Sequence, residues 1–336
     1  MLYSEDKRAG NSYREEYLKS IEGLIAARKA QAEDVRKKNM DGIVKNPEEH
    51  RDALRQMLGW PLSGDVSRAF SAKEEFVAKD GLCSIYRVTL ELEIGLKTYG
   101  ILMLPNGVEN PRVAVVQHGG AGCPELLIGL WRQANYNDMP RRILRRGMAV
   151  FAPQVLLWNS EDLECVKYDR FKLDGILKQL GSSVTALEVF NLSSVIDYLT
   201  SRGDLDCSEL AMVGLSYGGF YTLFTSALDL RIKRAYSSCF FNNRIAYSQP
   251  DWSWFNSAYT CFDEQVAALI APRRLYIEVA DKDEVFGADT ATPLADEVLK
   301  VYSQLGSADE FSFNVFDGYH EFSKTDEGLD FILGGI

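Results

Sequence analysis

The sequence predicts an α/β fold built on a mainly parallel, doubly wound sheet with helices on both faces. Short apolar runs without alternation, typical of strands buried on both faces, occur at Val113–Val116, Met148–Ala152, Leu210–Val213, Ala235–Ser237, Leu275–Val279 and Phe311–Phe316. Segments of helical periodicity separate many of them, including 182–201, 218–228 and 293–305. Strands that alternate with helices indicate a parallel sheet covered on both sides.

Residues 1–70 are predicted to form a helical extension, and 71–336 the main domain. The charged N-terminal stretch carries apolar residues at helical spacing, and Asn46-Pro47 marks the start of a second helix that ends near Leu58. We expect this extension to pack on the main domain or on a neighbouring subunit, which favours a homodimer. Alternating residues between 73 and 104 predict two or three antiparallel strands before the parallel sheet.

Composition excludes several classes of protein. The net charge of −11 opposes binding to nucleic acid, which needs clustered positive charge. The sequence contains no apolar run of about 18 residues, so no membrane span is expected. The N-terminus is charged and has no apolar core of the secretory type.

The six cysteines are scattered and form no CxxC pair or Cys/His metal-ligand spacing. No metal or organic cofactor is therefore expected. Unpaired thiols favour a cytoplasmic location. Cys123 and Cys239 are placed near the predicted site, where we expect them to act as small hydrophobic residues.

A Gly-Leu-Ser-Tyr-Gly turn follows the apolar run at 210–213, and a helical segment begins directly after it. A strand, a tight Gly-x-Ser-x-Gly turn and a helix are the context in which a serine is held as a nucleophile. Ser216 is therefore the candidate nucleophile. A serine hydroxyl needs a neighbouring base to take its proton, and the chain has only three histidines.

The candidate base and acid follow two later strands. His320 comes after the run 311–316, and Asp283 after the run 275–279. Because functional groups gather at the carboxyl ends of parallel strands, these side chains are expected to meet Ser216. Asp281 leaves the same strand and competes for the role of the acid. We favour Asp283, which lies farther from the strand end.

Backbone N–H groups are expected to form an oxyanion hole. One donor is assigned to Tyr217, the residue after the nucleophile, and the other to the loop after Val113–Val116, at Gly119 or Gly120. His118 in the same loop is expected to have a structural hydrogen-bonding role.

An aromatic segment at about 239–270 is expected to cover the catalytic edge like a lid. Phe241, Trp252 and Trp254 are candidates for contact with substrate. The alternative is that these rings form the buried core of the lid. Trp158 and the acidic loop at 161–164 are also expected to border the site.

These motifs together resemble the α/β-hydrolase superfamily over roughly 75–336. The sequence looks similar to the branch of acetyl xylan esterases and dienelactone-hydrolase-related proteins, on the strength of Leu58-Gly59-Trp60-Pro61-Leu62, His118-Gly119-Gly120, Gly214 to Gly219, Ala271-Pro272-Arg273-Arg274-Leu275 and Gly318-Tyr319-His320-Glu321-Phe322. The resemblance implies a serine esterase with a Ser-His-Asp triad that acts on a small-molecule ester, such as an acylated sugar. Dienelactone hydrolases proper have cysteine where this chain has Ser216.

Two alternatives remain at this point. The same fold serves serine aminopeptidases, although the chain shows no acidic pair that would hold a peptide amine. A non-catalytic binding module is the other alternative, because a fold alone does not determine function. Such a module usually lacks a triad member, and all three residue types are present here.

Overall fold

The computed structural model describes residues 2–130, 132, 134–155, 166 and 168–334. Its described strands form one nine-stranded sheet. They are β1 (Phe70–Lys79), β2 (Cys83–Leu92), β3 (Lys97–Pro105), β4 (Arg112–Gln117), β5 (Ala149–Pro153), β6 (Asp206–Leu215), β7 (Arg234–Ser238), β8 (Arg274–Ala280) and β9 (Phe311–Phe316). The order across the sheet is β1-β2-β3-β5-β4-β6-β7-β8-β9.

The sheet is antiparallel at one edge and parallel through the rest. β1, β2 and β3 pair antiparallel, and β3 pairs antiparallel with β5. From β5 through β4 and β6 to β9, every neighbouring pair is parallel. The predictions of an antiparallel start and a mainly parallel sheet are confirmed. The carboxyl ends of six strands therefore share one edge.

Helices lie on both faces of the sheet, as predicted. The α-helices among the described residues are α1 (Asn11–Lys45), α2 (Pro47–Leu58), α3 (Pro124–Leu127), α4 (Met139–Leu144), α5 (Arg170–Gln179), α6 (Val184–Ser201), α7 (Tyr217–Leu228), α8 (Ser257–Thr260), α9 (Asp263–Ala268), α10 (Ala288–Gln304) and α11 (Glu327–Leu333). Residues of α7, α9 and α10 form one core cluster with Ala235 and Leu275 of the sheet. Residues of α3, α4 and α11 form another with the alternate strand residues Tyr236 and Tyr276.

The N-terminal helices differ in how they pack. α2 begins at Pro47 and ends at Leu58, as predicted, and Leu54 and Leu58 are buried. In α1 only Ala32, Met40 and Ile43 are buried, all in its second half. The first half leaves apolar side chains in solvent, with Tyr17 and Leu24 about 70% exposed (70% and 68%). No helix in the described part of the chain is both long and apolar enough to cross a membrane.

Candidate active site

Ser216 lies on a strained turn between β6 and α7. Its backbone has φ 59° and ψ −125°, which side-chain-bearing residues rarely adopt. The turn is held by the N–H of Ser216, which donates to the carbonyl of Ser238 at 2.8 Å. The side chain is half-buried, at the N-terminus of α7. The helix end places partial positive charge next to this oxygen.

The glycines of the motif are required by close backbone approaches. A Cβ atom on Gly214 would lie 2.2 Å from the carbonyl oxygen of Gly218. A Cβ on Gly218 would lie 2.4 Å from the carbonyl oxygen of Gln117, at the end of β4. Side chains at these positions would push the turn away from the sheet. The motif glycines therefore allow the turn that carries Ser216 to pack closely on the ends of β4 and β6.

Asp283 and His320 form the contact that the sequence predicts for the acid and base. Nδ1 of His320 lies 2.8 Å from Oδ2 of Asp283, whose side chain is fully buried. The other carboxylate oxygen accepts hydrogen bonds from the N–H groups of Val285 and Phe286, at 2.8 and 3.1 Å. Burial alone would raise the pKa of Asp283, but these bonds and His320 outweigh it and hold the pKa below its ordinary value.

This geometry assigns the proton positions on the imidazole. An ionised carboxylate is only an acceptor, so Nδ1 of His320 carries the hydrogen that Asp283 accepts. Nε2 is then the nitrogen available to take a proton. Asp281 is different, because its Oδ1 accepts the N–H of Gly318 at 3.0 Å and the structure gives it no contact with His320. Its interactions are those of a residue that stabilises the loop.

Cys239 lies between the Ser216 turn and the pair of Asp283 and His320. Ser238, the preceding residue, accepts the N–H of Ser216. Sγ of Cys239, a carboxylate oxygen of Asp283 and a ring nitrogen of His320 all lie within 4.8 Å of one another. Among the described residues, the Ser216 hydroxyl makes no hydrogen bond to His320, and such bonds often tighten only with substrate bound.

The same three side chains are the one group in the described ranges with a metal-like arrangement of ligand atoms. They fit a metal poorly. The 2.8 Å contact between Asp283 and His320 is a direct hydrogen bond, and burial raises the pKa of the Cys239 thiol, which opposes the thiolate that a metal binds.

The loop that carries His320 is fastened to residues 135–137. The side chain of Asn135 donates to the carbonyl of His320 at 2.9 Å, and its own carbonyl accepts the N–H of Phe322 at 2.8 Å. The side chain of Asn137 donates to the carbonyl of Phe322 at 2.6 Å. These bonds set the position of the histidine loop from outside its own strand.

The loop after β4 packs directly on Ser216. A Cβ on Gly119 would lie 3.1 Å from Cβ of Ser216. The N–H of Gly119, however, donates to the hydroxyl of Tyr136 at 2.9 Å. This corrects the prediction of Gly119 as an oxyanion donor, because its hydrogen is already used. Gly120 is exposed, and its N–H has no partner among the described residues.

His118 stabilises this loop through hydrogen bonds of its buried ring. Its Nε2 accepts the N–H of Val155 at 3.2 Å, and its Nδ1 lies 2.9 Å from the carbonyl of Gly119. A backbone amide can only donate, so Nε2 is the acceptor and the hydrogen is on Nδ1. Burial lowers the pKa of His118 to about 4, which keeps the ring neutral. The structural role expected from the sequence agrees with these contacts.

Tyr217, the other predicted donor residue, is held by a buried ion pair. Its hydroxyl lies 3.0 Å from Oδ2 of Asp251, and that oxygen is 2.7 Å from Nε of Arg170. Both charged side chains are fully buried. The ring of Tyr217 stacks on Trp252 with centroids 5.1 Å apart. The side chain of Tyr217, next to Ser216, is therefore fixed by hydrogen bonds to a charged pair and by stacking.

The substrate-contact prediction for the aromatic segment is corrected. Phe241, Trp252 and Trp254 are 0%, 3% and 8% exposed and belong to the core cluster of α7 and α10. Rings packed in this way offer no face to a sugar, and the alternative of a buried lid core is favoured. Trp158 and the loop 161–164 lie outside the described residues.

Sequence reasoning missed the residues that support Ser216, Asp283 and His320. Tyr136, Arg170 and Asp251 act through contacts between distant parts of the chain, which no local motif reveals. Phe286 is also among them, because its ring lies 5.7 Å from the ring of His320 and links it to the aromatic segment.

No protein-family model matches the chain. A curated relative, described as "Putative hydrolase YtaP" of Bacillus subtilis (strain 168), is 26% identical over 288 residues, covering 78% of this chain and 89% of the relative.

Two solved esterase structures resemble the chain. The glucuronoyl esterase from Solibacter usitatus has a TM-score of 0.64 and 15% identity, over 86% of this chain and 91% of that one. Acetyl xylan esterase 1 from Thermoanaerobacterium sp. JW/SL YS485 has a TM-score of 0.57 and 15% identity, over 85% and 92%. At such identities the likeness establishes the fold, and the α/β-hydrolase fold expected from the sequence is confirmed.

Proposed function

We propose that the protein is a serine esterase that hydrolyses a carboxylic ester through an acyl-enzyme, with Ser216, His320 and Asp283 as its triad. The observation that carries this proposal is the 2.8 Å contact between His320 and a buried Asp283 beside the strained Ser216 turn. The relative described as a hydrolase and the esterases of similar structure support the same reaction class.

The reaction then follows from the proton positions. Nε2 of His320 takes the Ser216 proton as Oγ attacks the acyl carbon, and returns it to the oxygen of the leaving alcohol. Asp283 stays ionised and stabilises the charged imidazole. The N–H groups of Tyr217 and Gly120 are proposed to stabilise the negative oxygen of the tetrahedral intermediate. Water then attacks the acyl carbon while Nε2 of His320 takes its proton, and that proton returns to Oγ of Ser216 as the acid is released.

We further propose an acetyl ester of a carbohydrate as the substrate class. The names of the similar structures, an acetyl xylan esterase and a glucuronoyl esterase, support this choice.

Hydrolysis of p-nitrophenyl acetate tests the reaction class. We expect Ser216→Ala to lower kcat/KM about 10⁴-fold or more, as loss of a triad nucleophile does. Ser248→Ala, an exposed serine in the aromatic segment, is the matched control and should leave the rate unchanged. Labelling of Ser216 by a fluorophosphonate, located by peptide mass spectrometry, should be lost in the same variant. Undiminished turnover in Ser216→Ala would overturn the proposal.

Release of acetate from acetylated xylo-oligosaccharides, compared with p-nitrophenyl butyrate, tests the substrate class. Faster cleavage of aminoacyl anilides than of any ester would instead support a peptidase.

We also propose a homodimer formed through the first half of α1 and a location in the reducing cytoplasm. The exposed Tyr17 and Leu24 support the interface. The described cysteines, none of them in a disulfide, support the location. Light scattering should give twice the chain mass, and Leu24→Glu should give a monomer. Fractionation of the native cells should recover the protein with the cytoplasmic enzymes.

A further inference from the structure

The carboxyl group of Glu278 is buried near the candidate active site and takes part in no step of the proposed reaction. It lies on β8, two residues before that strand ends at Ala280, and Glu278 is 0% exposed. A buried carboxyl group is unfavourable unless hydrogen bonds replace those that it would make with water. The groups that bond to Glu278 therefore indicate what this side chain stabilises.

One oxygen of Glu278 joins two segments of the site. Oε1 accepts the hydroxyl of Ser238 at 2.7 Å and the backbone N–H of Ser323 at 3.1 Å. Ser238 is the last residue of β7 and is the partner of Glu278 in the register of β7 and β8. Ser323 follows His320 by three residues. A single oxygen atom thus holds the end of β7 and the His320 loop together.

Ser238 connects Glu278 to the turn that carries Ser216. Its carbonyl oxygen accepts the N–H of Ser216 at 2.8 Å, which is the bond that holds this strained turn. Its hydroxyl donates to Glu278. The same residue therefore bonds through its backbone to Ser216 and through its side chain to Glu278, so a shift of Glu278 is passed on to the turn.

The other anchors of the His320 loop do not replace this connection. The side chains of Asn135 and Asn137 bond to the loop, but they join it to residues 135–137 and not to β7. The thiol of Cys239 donates to the carbonyl of Glu321 at 3.3 Å, and a thiol is a weak donor. The carboxyl group of Glu278 is the stronger link between β7 and this loop.

The chemistry of the link suits a matched pair of substitutions. Burial raises the pKa of Glu278, which favours the neutral acid. A neutral carboxyl group and the amide of glutamine both present an acceptor oxygen at the same distance from the backbone. Methionine has a similar length and only a weakly accepting sulfur. Glutamine therefore keeps the two hydrogen bonds, and methionine loses them.

We propose that Glu278 is a positioning residue for ester hydrolysis, which sets the distance between Ser216 and His320 by binding Ser238 and Ser323. The inference rests on the proposed function. Glu278 is fully buried and cannot contact a substrate, so its loss acts on the chemical step and leaves substrate binding unchanged.

Steady-state hydrolysis of p-nitrophenyl acetate by two variants tests this role. We expect Glu278→Met to lower kcat about 10- to 100-fold, because small displacements of reacting groups are costly, with KM within about twofold of wild type. The rate of Ser216 labelling by a fluorophosphonate should fall with kcat. Glu278→Gln should restore most of the wild-type rate, to within about fivefold, since the amide oxygen accepts the same two hydrogen bonds.

A milder variant tests the link to β7 alone. Ser238→Ala removes one bond to Glu278 and should lower kcat about three- to tenfold. It decides the question where Glu278→Met does not fold. In Ser238→Ala/Glu278→Met, kcat should be no more than about twofold below that of Glu278→Met, because both substitutions break the same link.

Val195→Ala is the control for general destabilisation. Val195 is a buried residue of α6 in the core cluster that contains Phe190 and Leu199, and its truncation should leave kcat unchanged. All rates are compared at a temperature where circular dichroism shows the variants to be folded.

Three results would overturn the role of Glu278 while the wild type remains active. They are wild-type kcat in Glu278→Met, equal losses in Glu278→Met and Glu278→Gln, and losses that multiply in the double variant. A wild-type chain that neither hydrolyses the ester nor labels at Ser216 is a different result, because it refutes the esterase function and the inference with it.

Discussion

Arg170 and Asp251 form a fully buried ion pair, with Nε and Oδ2 separated by 2.7 Å, and the pair holds Tyr217, the residue after Ser216. Asp251 accepts the hydroxyl of Tyr217, and Arg170 also donates to the hydroxyl of Tyr221 at 2.8 Å. A charge removed from water in this way is stable only while its partner is present. The pair is therefore a sensitive point of the fold.

We predict that Asp251→Asn lowers the free energy of unfolding by about 3–5 kcal/mol, because it removes the buried negative charge that Arg170 and Tyr217 contact. Urea unfolding followed by tryptophan fluorescence measures this. The double variant Arg170→Met/Asp251→Leu should be less destabilised than Asp251→Asn, since it removes both charges of this pair from the interior. A double variant that is less stable than the single one would contradict this account.

The two aspartates after β8 provide a matched pair for testing the acid. Asp283→Asn should lower kcat by about three to four orders of magnitude, because the amide no longer holds the imidazole in the working tautomer. Asp281→Asn, two residues away, should change kcat by less than about tenfold, since the side chain of Asp281 accepts a hydrogen bond from Gly318 and has no contact with His320. Steady-state hydrolysis of p-nitrophenyl acetate measures both. Equal losses would remove the distinction.

The contact between Gly119 and Ser216 predicts a steric effect on catalysis. Gly119→Ala places a methyl group about 3.1 Å from Cβ of Ser216, closer than side chains normally approach. We expect kcat/KM to fall about 10- to 100-fold, because small misplacements of reacting groups are costly. Gly175→Ala on α5, where a Cβ meets nothing within 4 Å, is the control for activity. Retained activity in Gly119→Ala would show that the loop yields.

His118 predicts a pH dependence of stability. Its pKa of about 4 in the fold lies below the ordinary histidine value of 6.5, so between these pH values the unfolded chain binds a proton that the folded chain does not. Stability then falls as pH falls through this window. Between pH 6.5 and pH 5, protonation of this side chain in the unfolded chain lowers the free energy of unfolding by roughly 2 kcal/mol.

Unfolding of wild type and His118→Gln at several pH values measures this contribution. The difference between the two curves should shrink by that amount as the pH is lowered from 6.5 to 5. A difference that does not vary with pH would show that the ring titrates in the fold as it does in the unfolded chain.

Much of the fold was predictable because its signals are local. The apolar runs and the helical segments are properties of short stretches, and β6 with Ser216 and α7 follows directly from such a pattern. The contact of Asp283 with His320 was also predictable, since parallel strands bring their carboxyl ends to one edge.

The supporting contacts were not predictable, because they join residues that are distant in sequence. Arg170 and Asp251 are 81 positions apart, and neither stands in a recognisable motif. The prediction of substrate contact by the aromatic segment was wrong for a related reason. Trp252 and Trp254 are residue types that often contact sugars. Their burial depends on packing against α7 and α10, which the local sequence does not reveal.

Residues 135–137 contact two loops of the candidate active site. Tyr136 points to Gly119, whereas its neighbours on either side anchor the segment that carries His320. The loop that carries His320 and the loop that contains Gly119 are thus held by the same three residues. A displacement of residues 135–137 would therefore move the Gly119 loop and the His320 loop together.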